Sequence, residues 1–363
     1  MHRTERGPLS SSWRGLARSR SVQRLAGWMR QHPHAVLMAG WVALMMAAVV
    51  LIPGVLVKPL GQAGVQRAME LPPIASEIST PQDESLMIPI YLSAEKRVAA
   101  VSLEQYVRGV LAAEMPIEFE LEALKAQAIA ARTYIVKRML DEDFSNVPVA
   151  GAWVTDTVQH QAYLTDEAIL NKWNRESGAA EANIAKLTAA VEQTRGQIVT
   201  YENQPILAAF FSTSNGYTEN SEEYWVEQLP YLRSVSSPWE EKLSPKFQTT
   251  TAFTAAEFMN KLNLPAGTKK LTYKILETSA GQRIKKIRIG GTTFTGREVR
   301  DLLGLASTQF ALQTDGKQII VTTTGNGHGV GMSQWGAQGM ALAGFTAEEI
   351  IAHYYSGTHI QQF

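Results

Sequence analysis

The chain has 363 residues, of which 45% are apolar, with 34 basic and 34 acidic side chains and no cysteine. That length and apolar content support a real core in one large or two smaller domains and exclude disorder over the whole chain; the missing cysteines exclude disulfides and thiolate chemistry. The zero net charge hides an asymmetry. Residues 1–34 carry seven arginines (Arg3, Arg6, Arg14, Arg18, Arg20, Arg24 and Arg30) against Glu5, leaving 27 basic and 33 acidic residues in the remainder. That mildly acidic remainder has no electrostatic footprint for nucleic acid.

Residues 35–57, AVLMAGWVALMMAAVVLIPGVLV, hold no charge over 23 positions, enough to span a bilayer with some tilt. The arginine-rich flank places residues 1–34 in the cytoplasm and everything after Lys58 outside, by the positive-inside rule. A cleaved signal peptide fits less well, because the apolar run is long and the small-residue cleavage site after it is poor. Residues 58–85 are rich in Pro, Ser, Gly, Ala and charge without a sustained period, and read as a tether. Residues 86–363 read as an α+β domain of helices and mainly antiparallel sheet with a substrate cleft, with room for a smaller lobe at about 236–312.

From Leu86 to Val101, two short apolar runs predict two strands, the first marked as an edge strand by Pro89. They lead into Ser102–Met139, SLEQYVRGVLAAEMPIEFELEALKAQAIAARTYIVKRM, which predicts two helices broken at Met115-Pro116. Ser102 and Gln105 form a capping box for the first. At about 100° per residue, Leu103, Val107 and Val110 share one stripe, and Glu114 falls within about 40° of all three. Glu114 therefore points to the core, while Glu104 and Arg108 point away. Burial and the helix C-terminus both raise the pKa expected of that carboxylate. In the second helix Leu121, Leu124, Ala128, Ile135 and Met139 form an apolar stripe that includes Lys125 and Arg132. Either cation alone reads as a long side chain snorkelling to water. Two cations and a carboxylate converging across one short turn read as a general acid/base site.

The segment Val154–Leu164 has no clean period and carries His160 and Tyr163. A helix is expected near Glu181–Thr194, then QIVTY, a turn at ENQP and ILAAFFSTSN, together a hairpin whose second strand is buried on both faces. That strand turns abruptly polar at Ser212, Thr213, Ser214, Asn215, Gly216 and Tyr217, either a plain exit turn or a way to present hydroxyls and amides at a cleft. A helix from Thr254, strands within Leu271–Ile289 and a helix over Gly296–Leu303 follow, with no motif that carries chemistry. In GNGHGVGMSQWGAQGMALAG (Gly325–Gly344) four glycines alternate with Asn326, His328 and Val330 before a helix opens near Ser333. A phosphate cradle would require a following Lys, which is missing. The glycines instead read as backbone brought close to another surface, directing His328, Ser333, Gln334 and Trp335. A last helix starts at a capping box formed by Thr346 and Glu349 and stops at Gly357.

Three chemistries compete. A metal would draw on His160, His328, His353 and His359, but none shows paired ligand spacing and no HExxH occurs, so no cofactor is expected. A serine nucleophile at Ser212 or Ser214 lacks a GxSxG elbow. A carboxylate acid/base acting on a sugar polymer needs an acid of raised pKa in a groove lined by donors and aromatics, which Glu114 and the serine and glycine loops supply. Asp156 or Glu219 would be the hidden partner if a second carboxylate were used.

The motifs GVLAAEMP, LEALKAQAIAARTY, FFSTSNGYTE, SSPWE and GHGVGMSQWGA together resemble the stage II sporulation protein D family, which includes the amidase enhancers, from about Ile88 to the C-terminus. The resemblance implies lytic cleavage of peptidoglycan strands stripped of stem peptides during forespore engulfment. It also implies a membrane-anchored protein on the mother-cell side, with the sporulation amidase/endopeptidase protein P and the membrane protein M as partners. The family's catalytic glutamate falls on Glu114 and its supporting cations on Lys125 and Arg132. The enhancer branch implies an alternative, a non-catalytic glycan binder that stimulates a cell-wall amidase. Some relatives hold zinc through cysteines, which this chain lacks.

Overall fold

The structure, a computed structural model, describes residues 86–176, 180–265, 272–314 and 318–363. The arginine-rich segment, the apolar run and the tether lie outside the described residues; within them no helix is long and apolar enough to cross a membrane.

The fold opens with the hairpin β1 (Met87–Leu92) and β2 (Arg97–Ser102), followed by α1 (Leu103–Glu114), α2 (Leu121–Leu140) and the short β3 (Val154–Thr155). Next come α3 (Asp166–Glu176), α4 (Ala180–Glu192), β4 (Gln197–Tyr201), β5 (Gln204–Pro205), β6 (Phe210–Phe211), and the single turns α5 (Ser221–Tyr224) and α6 (Glu240–Leu243). A second group comprises β7 (Gln248–Thr254), α7 (Ala255–Lys261), β8 (Tyr273–Thr278), β9 (Ile284–Ile289), β10 (Thr292–Thr295), α8 (Gly296–Leu303), β11 (Phe310–Thr314) and β12 (Gln318–Thr324). The chain closes with β13 (Met332–Ser333), α9 (Gln334–Leu342), α10 (Ala347–Tyr354) and β14 (His359–Gln362).

This is an α+β architecture whose small sheets are mainly antiparallel. Sheet orders are β2-β1-β3, β14-β4-β5, β11-β12-β7 and β10-β9-β8, and the pairs β1/β3 and β6/β13 are parallel. Two hydrophobic cores are present. The larger surrounds α2, which packs against α1, α4, α9, α10 and β4. The smaller draws on Phe253, Phe258, Ile287, Val299, Phe310 and Val321, and so extends through β12. Alanines at 123, 126, 128, 130 and 131 are all buried on α2; their small side chains let neighbours close in on every face.

Three details depart from the sequence reading. Pro89 lies in the central strand of its sheet, not at an edge. It is tolerated because β3 starts opposite Ile90, so no ladder acceptor awaits the missing N–H. The expected long second hairpin strand is broken: β5 ends at Pro205, and Phe210-Phe211 pair with Met332-Ser333 instead. The turn between β4 and β5 is as expected, with Glu202 and Asn203 at φ 51° and 62°, the left-handed pair of a tight hairpin. Helix α3, strand β7 and strands β10 to β14 are not among the elements expected from sequence.

Candidate active site

Glu114 is the last residue of α1, whose capping box is formed by Ser102 and Gln105. Met115 takes extended φ −114° and ψ 137°, as the following proline demands, so the helix stops immediately beyond the carboxylate. Oε1 of Glu114 accepts the Ala162 N–H at 3.0 Å, and Gln334 Nε2 donates to the Glu114 carbonyl at 3.3 Å. Burial pushes the pKa up, opposed by the hydrogen bonds from Ala162 and Gln334. Among the described residues no cation forms an ion pair with it.

One wall of the site is the segment Gln161–Tyr163. Tyr106 donates to Gln161 Oε1 at 2.9 Å, and the Tyr163 ring stacks on Tyr106 at 5.8 Å. This close approach needs Gly109, where a Cβ would come within 2.2 Å of the Tyr163 ring. Burial, with Asp166 nearby, pushes the Tyr163 phenol up to about 12. The other wall is the first turn of α9, capped by Ser333, whose Oγ accepts the Gly336 N–H at 3.3 Å and the Ser214 N–H at 3.2 Å. The Trp335 N–H donates to the Ser212 carbonyl at 3.1 Å, and the Trp335 ring meets Phe119 edge-on at 4.7 Å.

Hydrogen bonds thus join Glu114 to Ala162 and Gln334, and Trp335 to Ser212, while Tyr163 follows Ala162 in the chain and stacks on Tyr106. Ser214 and Ser333 are fully buried and satisfied within the frame behind them. His160 is held apart: Nδ1 meets the Thr155 N–H and hydroxyl at 3.2 and 2.9 Å, and Nε2 meets the Ser145 carbonyl at 3.2 Å. Burial lowers its pKa, so it acts as a neutral pin for its loop. Asn215 Nδ2 donates to the Gly281 carbonyl at 2.8 Å and to Gln309 Oε1, and Tyr217 is 39% exposed. The half-buried His328 ring lies among Phe211, Tyr224 and Trp225, all at 5.5–5.6 Å. Burial and the Arg283 and Arg300 charges push its pKa to about 4.

The convergence expected of Lys125 and Arg132 on Glu114 is not what the fold makes. Arg132 is 0% exposed and grips Glu104 by two hydrogen bonds, Nη2–Oε2 at 2.6 Å and Nε–Oε1 at 3.0 Å. Its Nη1 reaches the Gln197 carbonyl at 3.1 Å. Glu104, expected to face away from the core, has a side chain only 14% exposed. The reason is that α2 is covered on all sides, so an apolar stripe on it does not define one direction. Lys125 pairs with Glu122 at 2.9 Å, and Glu122 also accepts the Ala347 N–H at 2.8 Å, tying α2 to α10. Asp156 is used by the Ser93 N–H, and Glu219 lies in a separate cleft with Ser279 and Arg283. Sequence reasoning missed the Ala162 N–H, a backbone donor without a side-chain signal, and Tyr106, which looks like any core aromatic. Among the described residues no cluster of metal-ligating side chains is present.

A family model described as stage II sporulation protein matches residues 91–201, which include α1, α2 and the Gln161–Tyr163 wall. Stage II sporulation protein D of Bacillus subtilis (strain 168) is 42% identical over 328 residues, covering 88% of this chain and 94% of the relative. The chain belongs to the stage II sporulation protein D family. Another member, from Bacillus amyloliquefaciens, is 43% identical over 283 residues, 78% of this chain and 81% of its own. The amidase enhancer of Bacillus subtilis (strain 168) is 29% identical over 311 residues, covering 71% of this chain and 40% of the enhancer. Family membership assigns the chain a role in sporulation.

Proposed function

We propose that the protein is a lytic transglycosylase that cuts denuded peptidoglycan strands between N-acetylmuramic acid and N-acetylglucosamine during forespore engulfment, with Glu114 as its acid and base. The observation that supports this is a carboxylate at a helix C-terminus, desolvated and without a counterion among the described residues, flanked by the Ala162 N–H and the Gln334 carboxamide. Protonated, it gives its proton to the glycosidic oxygen as the C1–O bond breaks. As carboxylate it takes the proton of the muramyl 6-hydroxyl, whose oxygen attacks C1 and closes the 1,6-anhydro ring. One residue serves both steps, so no second carboxylate is required across the cleft. Arg132 and Lys125 are positioning residues in this scheme: the first anchors α1 to α2 through Glu104, the second anchors the start of α2 to α10 through Glu122.

In the same reading the arginine-rich end is cytoplasmic, residues 35–57 anchor the chain, and the domain acts outside the membrane on the mother-cell side with proteins P and M. No metal or other cofactor enters the reaction. Mass spectrometry of denuded strands digested with the full-length protein tests it. Anhydro ends that vanish in Glu114→Gln, with at least roughly a 10²-fold loss of rate, are expected. Reducing ends would replace the lyase step by hydrolysis. Unchanged strands would favour the second reading, a glycan binder that stimulates an amidase, to which the similarity with the amidase enhancer lends support.

A further inference from the structure

Glu114 receives one of its hydrogen bonds from a main-chain amide, so whatever holds that amide in place bears on the acid itself. The amide belongs to Ala162, within a strap of residues 161–164 that is fastened to α1 on both sides of it. Downstream, the Leu164 N–H donates to the Gly109 carbonyl at 3.2 Å. A Cβ on residue 109 would come within 2.6 Å of the Leu164 carbonyl, so the glycine is what lets strap and helix close together. Upstream, the fastening is a single side-chain bond between two buried residues, Tyr106 at 0% exposure and Gln161 at 2%. The Tyr106 hydroxyl donates to Gln161 Oε1 at 2.9 Å, and the buried Gln161 Nε2 has no partner at all. The whole carboxamide therefore depends on one phenol.

Burial pushes the Tyr106 phenol well above its ordinary range, so it remains a donor at any working pH. Removing that donor leaves both ends of the Gln161 carboxamide unpaired inside the fold, and an unpaired buried polar group is driven toward water. Gln161 cannot turn outward without carrying the next residue with it, and that residue holds its N–H 3.0 Å from Glu114 Oε1. The charged groups on the elements around Glu114 are engaged elsewhere. On α1 itself Arg108 pairs with Asp166, and on α2 Lys125 pairs with Glu122, Arg132 with Glu104 and Arg138 with Asp143. Lys172 of α3 turns to the Ala112 carbonyl at 3.5 Å, and Lys186 of α4 to the Ile117 carbonyl at 2.9 Å. The first turn of α9 presents the neutral Gln334 and Trp335, and the phenols Tyr134 and Tyr163 are kept neutral by burial. Desolvation of Glu114 is thus opposed by two neutral donors, Ala162 and Gln334, and a displaced Ala162 leaves only one.

We propose that Tyr106 is a positioning residue for the acid: through Gln161 it holds the strap on α1 so that the Ala162 N–H stays on the Glu114 carboxylate. Its importance for cleavage rests on the acid/base reading of Glu114. The test uses full-length protein in detergent micelles, labelled with carbon-13 at the glutamate carboxyls, the Glu114 signal being the one that Glu114→Gln removes. In Tyr106→Phe that signal should titrate about one pH unit higher, because a hydrogen bond that favours the ionised form has been weakened. The alkaline limb of strand cleavage should move upward by the same amount, since the protonated acid then persists to higher pH. Amide exchange in residues 161–164 should quicken at least about tenfold as the strap loosens. Gln161→Met cuts the same bond from the other end and should give the same three changes, so it serves if Tyr106→Phe fails to fold. Folded variants that lose stability while Glu114 titrates as in wild type would make Tyr106 a core residue only, and strap exchange at the wild-type rate would equally overturn the proposal. Wild-type protein that leaves denuded strands intact would remove the acid/base reading, whereas titration and exchange, both read without substrate, would still decide whether Tyr106 holds the Ala162 contact.

Discussion

Replacing Arg132 by methionine separates a positioning cation from one that touches the reaction. The change removes a guanidinium that is 0% exposed and strands the Glu104 carboxylate, 14% exposed, with the Gly196 N–H at 3.2 Å as its remaining donor. Breaking a buried pair from one side costs about 3–5 kcal/mol, a large part of the about 5–15 kcal/mol that holds a typical domain. The double variant Glu104→Met/Arg132→Met removes the stranded charge and leaves the Gly196 N–H and the Gln197 carbonyl unpaired, at about 1–3 kcal/mol. It should therefore recover part of the loss. Denaturant unfolding followed by tryptophan fluorescence gives the stabilities, and strand digestion gives the rates. The single variant should be strongly destabilised, and the double variant should regain both stability and cleavage to within about tenfold of wild type. A double variant that folds like wild type but does not cut would show that Arg132 acts on substrate, and a single variant that loses under about 1 kcal/mol would show that the pair is not buried as described.

Glu114→Gln should be more stable than wild type at neutral pH, since folding disfavours the ionised carboxylate. Thermal melts across pH should show that advantage shrinking as pH falls through the raised folded pKa and vanishing below the unfolded value of about 4.3; a destabilised Gln variant at neutral pH would contradict the desolvation argument. Lys125→Met should cost under about 1 kcal/mol, because Lys125 and Glu122 are partly exposed, with side chains 15% and 32% accessible, and a loss of cleavage beyond about tenfold in a fully folded variant would give Lys125 a direct role. Gly331→Ala places a Cβ 2.0 Å from the Ala209 carbonyl at φ +80°, so circular dichroism should show a lowered melting temperature, and an unchanged melt would mean that the glycine loop is not pressed against Ala209. Exhaustive chelation should leave strand cleavage intact, since the chain has no cysteine; activity lost on chelation and restored by zinc would refute this.

The parts of the fold legible in sequence are those with local physical signatures. The Ser102 and Thr346 capping boxes, the Pro116 break, the left-handed turn at Glu202-Asn203 and the helix starts at Thr254 and Ser333 each depend on a few neighbouring residues. Glu114 was legible for the same reason, since its position in a stripe and at a helix end follows from six residues of context. What was not legible depends on partners far along the chain. Phe210-Phe211 pair with Met332-Ser333, over a hundred residues later, and their own run reads simply as an apolar strand. Arg132 reads as part of a one-sided stripe until α4, α9, α10 and β4 are seen to cover the other sides of α2. Arg283 sits in a segment without any motif, and only packing brings it to Glu219.

Burial of a charge by itself does not distinguish a site from a strut. In this domain Glu104 and Arg132 are buried together with short, paired hydrogen bonds, and such a pair is better suited to fixing the geometry of two elements than to exchanging protons, because moving a proton would leave an uncompensated charge inside. Glu122 and Lys125 are the same device nearer the surface. Glu114 differs in having neutral donors and, among the described residues, no counterion, so its two protonation states are closer in free energy and a proton can leave and return. Glu219 and Arg283 are intermediate: they face one another at 3.7 Å without bonding, and Arg283 retains two unfilled donors. From tight pair, through loose pair, to lone acid, it is the state of the partner and not the depth of the residue that distinguishes these charges.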